Sequence, residues 1–366
     1  MYLYEYQAKR LLKEYGVDVP SSVFIEAESL FQGSEQDLKK GLDAHLSDRV
    51  VVKVQILEGG RGKRGGVVAV PRGEALREAR RMLREWRGAA GVLVEEYVPH
   101  SEEYYLSLLL DRERRGITLL ASRGGGVDVE ESEDVLSLQV DPFTGPLPHH
   151  RRMLESHFGA VPADLLEKLF KLFTERDLTL LEINPLILSG GRAVALDAKV
   201  TCDPAALYRS RLPENPEQYT PLELAGRRAG LAVLEMEGRC AVMANGAGLT
   251  MATLDYLASL GISPRLFLDL SGTDDPEKVR EAFHIALRTS PEAILVNIFS
   301  GMTRADTVAE GILRGMEETS VEVPVIVRLH GTNYEIGRRM LRERGVHVYE
   351  TLPEAAEHLR ALLEGG

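Results

Sequence analysis

The chain reads as an α/β protein in two parts, the second of them a doubly wound parallel sheet. Three observations predict this. Strand and helix patterns alternate five times over the last third. The apolar runs there are short and continuous, as in strands buried on both faces. The first two-thirds has a different grammar, with strand pairs, glycine-rich turns and few helices.

In the first part, residues 5–15 form a short amphipathic helix and 50–57 (VVVKVQIL) a strand. The next nine residues are EGGRGKRGG, and Gly60-Arg61-Gly62-Lys63-Arg64-Gly65 fits G-x-G-x-x-G. A dinucleotide fingerprint needs a helix opening on its last glycine. Here Val67-Val-Ala-Val70 follows, which is another strand, so that reading fails. A P-loop fails too, because Lys63 is followed by Arg64 and not by Ser or Thr. Two readings stay open. One is a glycine-rich β-hairpin folded over a nucleotide, offering backbone N–H groups, Arg61 and Lys63 to phosphates; the other is an exposed basic turn.

Lys53 interrupts an apolar strand, where an unpaired ammonium is costly; it faces a phosphate or snorkels to the surface. Helix 74–87 and strand 91–98 (GVLVEEYV) follow. Glu95 and Glu96 near that strand's end, with Glu102 and Glu103 beyond it, either accept ribose hydroxyls or are simply solvated. A strand pair at 103–110 and 117–122 and a helix at 162–176 come next.

Residues 179–200 read TLLEINPLIL, SGG, RAVALDAKV. Gly190-Gly191 suits a two-residue hairpin turn, which places Asn184 opposite Asp197 and Glu182 opposite Lys199. Alternation then puts all four on one face. An amide and a carboxylate that close are hard-oxygen ligands suited to Mg²⁺. A surface Glu182–Lys199 ion pair beside a neutral Asn–Asp pair is the plainer alternative. Residues 209–222, rich in Pro, Glu and Tyr, read as a linker between domains 1–222 and 223–366.

The second part has strands at 239–244, 265–270, 293–299, 323–329 and 346–349. Helices at 249–260, 276–288, 305–318, 333–344 and 353–364 alternate with them, giving a flavodoxin-like sheet. The strand ends carry Asn245-Gly-Ala-Gly248, Ser271-Gly-Thr273, Ser300-Gly-Met-Thr303 and His330-Gly-Thr-Asn333. Such loops lead into helix N-termini and suit anions, although glycine also simply helps a strand turn into a helix.

Bulk properties narrow the class. At 366 residues the chain exceeds one hydrophobic core. A net charge of −12 argues against a general nucleic-acid or membrane-surface binder. Cys202 and Cys240 make neither a disulfide framework nor a zinc motif. The first residues are too charged for a signal peptide, and no apolar stretch is long enough to span a bilayer. A cytoplasmic enzyme is expected.

Six separated stretches then carry a resemblance over nearly the whole chain: YEYQAKRLLKEYG, VVKVQILEGGRGKRGGV, LLEINPLIL with ALDAKV, MANGAGLTMATLD, AILVNIFSGMTRADTVAEGI and VPVIVRLHGTNYEIG. In this order and spacing the chain resembles the succinate–CoA ligase (succinyl-CoA synthetase) β-subunit family. The resemblance implies an N-terminal ATP-grasp fold and a C-terminal CoA-ligase domain. It implies nucleotide contacts at Lys53, Gly60, Arg61, Gly62, Glu95, Val98 and Glu103, with Mg²⁺ on Asn184 and Asp197. Glu182 matches a glutamate beside the docked phosphohistidine, and Asn245, Gly301, Met302 and Thr303 match substrate contacts.

The reaction implied is NTP + succinate + CoA going reversibly to succinyl-CoA + NDP + phosphate, through a phosphohistidine and an acyl phosphate. The phosphohistidine and the CoA site belong to a separate α subunit, so this chain alone is expected to show no turnover. His330 is the nearest phosphorylation candidate, but reads as a local hydrogen-bonding residue. ATP/ADP and GTP/GDP both remain open. The family's three glycines are Leu270-Ser271-Gly272 here, and its Gly-Gly is Ser300-Gly301, which is expected to add side chains near the carboxylate. Malate or citrate therefore remain alternatives to succinate, and a non-catalytic nucleotide-binding regulatory subunit is the alternative of another class.

Overall fold

The structure, a computed structural model, describes residues 1–126, 134–159, 161–319 and 323–365. They divide into two compact units, Met1–Gln218 and Tyr219–Gly366.

The first unit opens with α1 (Glu5–Glu14) and holds two antiparallel sheets. The smaller contains β1 (Ser22–Glu26), β2 (Arg49–Gln55), β3 (Val67–Pro71) and β4 (Gly91–Glu96), in the order β1-β4-β2-β3. Val50, Val52, Val54, Val92 and Val94 face a core completed by α2 (Ala27–Gln32), α3 (Glu35–His45) and α4 (Ala75–Glu85). Period-2 alternation therefore sends Lys53, Gln55 and Glu95 to the opposite face.

The larger sheet contains β5 (Tyr104–Asp111), β6 (Gly116–Ser122), β7 (Val135–Val140), β8 (Leu178–Ser189), β9 (Arg192–Ala195) and β10 (Ala198–Cys202). Its order is β10-β8-β5-β6-β7, with β9 also pairing β8. Helices α1, α5 (Pro148–Phe158) and α6 (Leu165–Glu175) pack on the face of Leu106, Leu181 and Ile183. Glu182, Asn184 and Lys199 alternate to the other face. The short α7 (Leu207–Ser210) follows β10.

The hairpin arithmetic holds. Gly190 and Gly191 take φ of +58° and +75°, and Ser189 pairs with Arg192. The same register runs on to Ile183 with Ala198 and Glu182 with Lys199. The glycine-rich stretch does join an antiparallel pair, with Lys53 opposite Val67.

The second unit comprises α8 (Pro221–Arg228), β11 (Ala232–Glu235), β12 (Cys240–Ala244), α9 (Ala247–Ser259), β13 (Pro264–Asp269), α10 (Pro276–Arg288) and β14 (Ala293–Ser300). It continues through α11 (Ala305–Thr319), β15 (Val325–Gly331), α12 (Tyr334–Arg342), β16 (His347–Tyr349) and α13 (Leu352–Glu364). Strand order is β11-β13-β12-β14-β15-β16. The five expected strands pair in parallel in the flavodoxin-like sequence 2-1-3-4-5. Helices α10, α11 and α12 cover one face, and α9 and α13 the other.

In the second unit two features escaped the sequence reading. β11 adds an antiparallel edge strand of only four residues, largely exposed, and so gives no apolar run. Residues 221–222, read as linker, instead open α8, which Thr220 and Glu223 close with a capping box.

Phe283 of α10 is fully buried, and a Cβ on Gly315 of α11 would come within 2.7 Å of its ring. With packing that close, Phe283→Ala is expected to cost about 3–5 kcal/mol, read as a lowered urea midpoint.

Candidate functional site

In the first unit the charged residues on the inner faces of both sheets meet α1 in one buried cluster. Lys53 is not solvated. Its ammonium donates to Glu5 at 2.9 Å, to Glu95 at 2.7 Å and to the Leu196 carbonyl at 2.5 Å. Lys9 reaches the same three groups, at 2.8, 2.5 and 2.5 Å. Arg61 bonds Glu5, the Val54 carbonyl at 3.0 Å, and both carboxylate oxygens of Asp197 at 2.9 Å. Gln55 completes the set, donating to Glu5 at 3.2 Å and accepting from the Tyr6 N–H at 3.1 Å.

Burial alone would raise the Glu5 pKa, but Arg61, Lys53 and Lys9 outweigh it and hold the carboxyl well below its usual range. Burial would likewise strip Lys53 of its proton, yet Glu5, Glu95 and Asp197 push its pKa up. Arg61 is pushed up in the same way by Glu5 and Asp197, against burial. All three stay charged.

Sequence reasoning named Lys53, Arg61, Glu95 and Asp197 but missed Glu5, Lys9 and Gln55. The signal was there: Glu5 and Lys9 are four apart on the face of α1 that also carries buried Ala8 and Leu12. A charge pair on the buried side of an amphipathic helix needs partners.

The glycine stretch starts in the left-handed region at Gly60 (φ +77°) and returns to it at Gly65 (φ +76°). The Gly66 N–H that follows donates to the Arg61 carbonyl at 2.8 Å, closing a turn that carries the Arg61 side chain inward. Arg64 points the other way, 4.3 Å over the Trp86 ring. Gly60 and Gly62 themselves have open space above them, with nothing within 4 Å of an added Cβ.

Val98 and Glu103 are tied by a residue the sequence reading passed over. The His100 ring lies 2.8 Å from the Val98 carbonyl and 3.0 Å from the Glu103 carboxylate. A second glycine run, 124–126, was also missed. Gly126 (φ +98°) sits so close that an added Cβ would meet Glu103 at 2.8 Å. Its backbone N–H and carbonyl pair with the Asn184 amide at 2.6 and 2.8 Å.

Asn184 and Asp197 do lie across from one another, with the Asn184 N–H on the Asp197 carbonyl at 3.2 Å. Both side chains are engaged with protein groups, Asn184 with Gly126 and Asp197 with Arg61 and the Ala198 N–H. Their donor set is one amide oxygen and one partly exposed carboxylate, and no group of three or more His, Cys, Asp or Glu suited to a metal occurs among the described residues. Such a set fits a hard cation that keeps water and phosphate oxygens as its other ligands. Glu182 shares their face, opposite Lys199.

In the second unit Asn245, Gly301, Met302 and Thr303 line one cavity of about 440 Å³ with Asp269, Ser271 and Phe299. It lies beyond β12 and β14, where the strand order reverses. Asn245 acts as a brace, its amide pairing with the Phe299 N–H and carbonyl at 2.9 and 3.0 Å. One oxygen of Asp269 accepts the Gly246 and Ser271 N–H groups at 2.6 and 2.7 Å, fixing two loops at once.

Comparison with known proteins finds one family match within each unit. The ATP-grasp domain family matches residues 2–188, and the CoA-ligase family matches 243–362. The ADP-forming succinate–CoA ligase β subunit of Trichlorobacter lovleyi is 37% identical over 395 residues, covering 99% of each chain. That of Acidithiobacillus ferrooxidans is 39% identical over 399 residues, covering 100% of each. The chain belongs to the succinate–CoA ligase β-subunit family.

A solved ATP citrate lyase from Methanothrix soehngenii, in complex with citrate and coenzyme A, shares this family's fold, with a TM-score of 0.75 over 99% of each chain at 23% identity. Of the departures from the family's glycines, Leu270 does not crowd the cavity, because its side chain is fully buried in the unit's core. Ser271 does line it, in a left-handed conformation (φ +55°) that favours glycine. Ser300 is buried. The His330 ring lies tilted against those of Phe299 and Tyr334, with centroids 5.5 and 5.6 Å away. No described helix is long and apolar enough to cross a membrane.

Because the Glu5 pKa is depressed on folding, its contribution is complete above its unfolded value of about 4.3 and is lost as pH falls towards the folded value. Acidification below about pH 4 should therefore destabilise the wild type more than Glu5→Gln, measured by urea unfolding across that range.

Proposed function

We propose that this chain is the nucleotide-binding β half of a heteromeric ligase that joins succinate to CoA with NTP cleavage, in either direction. The observation that carries the reading is the convergence of Lys53, Arg61, Glu95 and Asp197, from three separate stretches of sequence, on one cluster beside the glycine-rich turn. Lys53 and Arg61 would hold phosphates, helped by the backbone of Gly60 and Gly62. Glu95, Val98 and Glu103 would hold the rest of the nucleotide. Asn184 and Asp197 would hold Mg²⁺, which supplies neutralisation of phosphate charge when bound.

Glu182, on the same face, would orient the phosphohistidine brought by the α subunit. In the second unit the loops at Asn245 and Gly301–Thr303 would take the carboxylate, their positions set by Asn245 and Asp269. The relatives are named ADP-forming, which supports an adenine nucleotide.

Ser271 favours a second reading, in which a side chain in place of glycine shifts the preferred acid to malate or citrate. Thioester formation by the chain co-expressed with its α partner, assayed across the three acids with ATP and GTP, decides between them. Highest activity with succinate and ATP is expected, and no activity with any acid from an assembled complex would sink the ligase reading. Asp197→Ala should abolish Mg-nucleotide-dependent phosphorylation of the α partner; undiminished phosphorylation would refute the metal assignment.

A further inference from the structure

Lys53 has three N–H donors, and all three are taken, by Glu5, Glu95 and the Leu196 carbonyl. A phosphate can therefore reach this ammonium only if one of those groups gives it up. In a buried site that exchange is normally prohibitive, because the abandoned carboxylate is left charged and unpaired. Here it is not abandoned. Lys9 already bonds Glu5, Glu95 and the Leu196 carbonyl, the same three groups.

We propose that Lys9 and Glu5 of α1 are positioning residues that make Lys53 and Arg61 free to exchange protein carboxylates for nucleotide phosphates. The proposal rests on the nucleotide reading above. Lys9 is the fixed cation, with its side chain 2% exposed against 8% for Lys53, 10% for Arg61 and 34% for Asp197. The cluster thus opens on the side of Arg61 and Asp197, and the phosphates enter there.

Glu5 is the hub. One of its oxygens holds the two lysines and the other holds Arg61. When Arg61 turns to a phosphate, the second oxygen keeps its bond from Gln55, which also ties the first turn of α1 through the Tyr6 N–H. Neither Glu5 nor Lys9 touches the reacting atoms. Their work is to leave every buried group paired while their neighbours change partners.

The test is calorimetric titration of the full chain with Mg–ADP or Mg–GDP, whichever the wild type binds more tightly, against Lys9→Met and Lys53→Met. Lys9→Met is expected to weaken binding by about tenfold or more although Lys53 is intact. In the complex with the α partner, the nucleotide KM should rise by the same factor, while kcat at saturation stays within about twofold. A purely structural ion pair would lower Tm without moving that split. Wild-type affinity in Lys9→Met with weakened binding in Lys53→Met overturns the proposal and leaves the nucleotide site standing. Wild-type affinity in both variants overturns the two together. Should Lys9→Met fail to fold, Lys9→Met/Glu5→Gln, which removes one charge of each sign, carries the same test with the same outcomes.

Discussion

One carboxylate organises the first unit. Glu5 lies with its side chain 2% exposed among Lys9, Lys53 and Arg61, and Glu95 and Asp197 complete a set of three acids and three bases. Burying five of these charges, with Asp197 at the partly exposed edge, is tolerable only when each is paired and its remaining hydrogen-bonding capacity is met. Removing one partner from such a pair typically costs about 3–5 kcal/mol. The geometry of α1, β2, β4 and the turn at 60–66 is therefore specified together, since a shift in any one would orphan a charge carried by another.

This constraint also accounts for how the site is built. The valines of β2 and β4 bury against helices, so alternation leaves Lys53, Gln55 and Glu95 on the inner face. The larger sheet does the same for Glu182 and Asn184. Asp197 stands at the least buried edge of the cluster, gripped by a guanidinium from a turn rich in glycine. The most exchangeable contact thus falls on the residue suited to a metal. The deeper contacts, through Lys9 and Glu5, stay with the rigid helix and strands. In the second unit Asp269 and Asn245 do comparable work with neutral donors, fixing loops at the strand ends.

Much of this was legible in the sequence where a period or a turn decided the matter. The 2-1-3-4-5 sheet followed from alternation, and the register of Asn184 with Asp197 followed from two glycines. Long-range pairing was not legible. Lys53 reads alone as a stray cation, because its partners lie 48 residues before it and 42 after it, and only the fold brings them together. The glycines at 124–126 gave no motif, since Gly126 bonds Asn184, 58 residues further along the chain, and His100 gave none because a lone histidine tying two near neighbours has no spacing signature. The departure at Leu270 misled for a related reason: a strand-end residue next to a ligand loop can still point into the core.

The central claim is that Lys53 can leave its carboxylates because Lys9 does not. A crystal structure of the full chain with Mg–nucleotide bound tests it most directly. The account predicts the Lys53 ammonium within about 3 Å of a phosphate oxygen, Arg61 drawn off Asp197, and Lys9 still bonded to Glu5 and Glu95. Phosphates seated elsewhere, with all six charges paired as they are here, would contradict it.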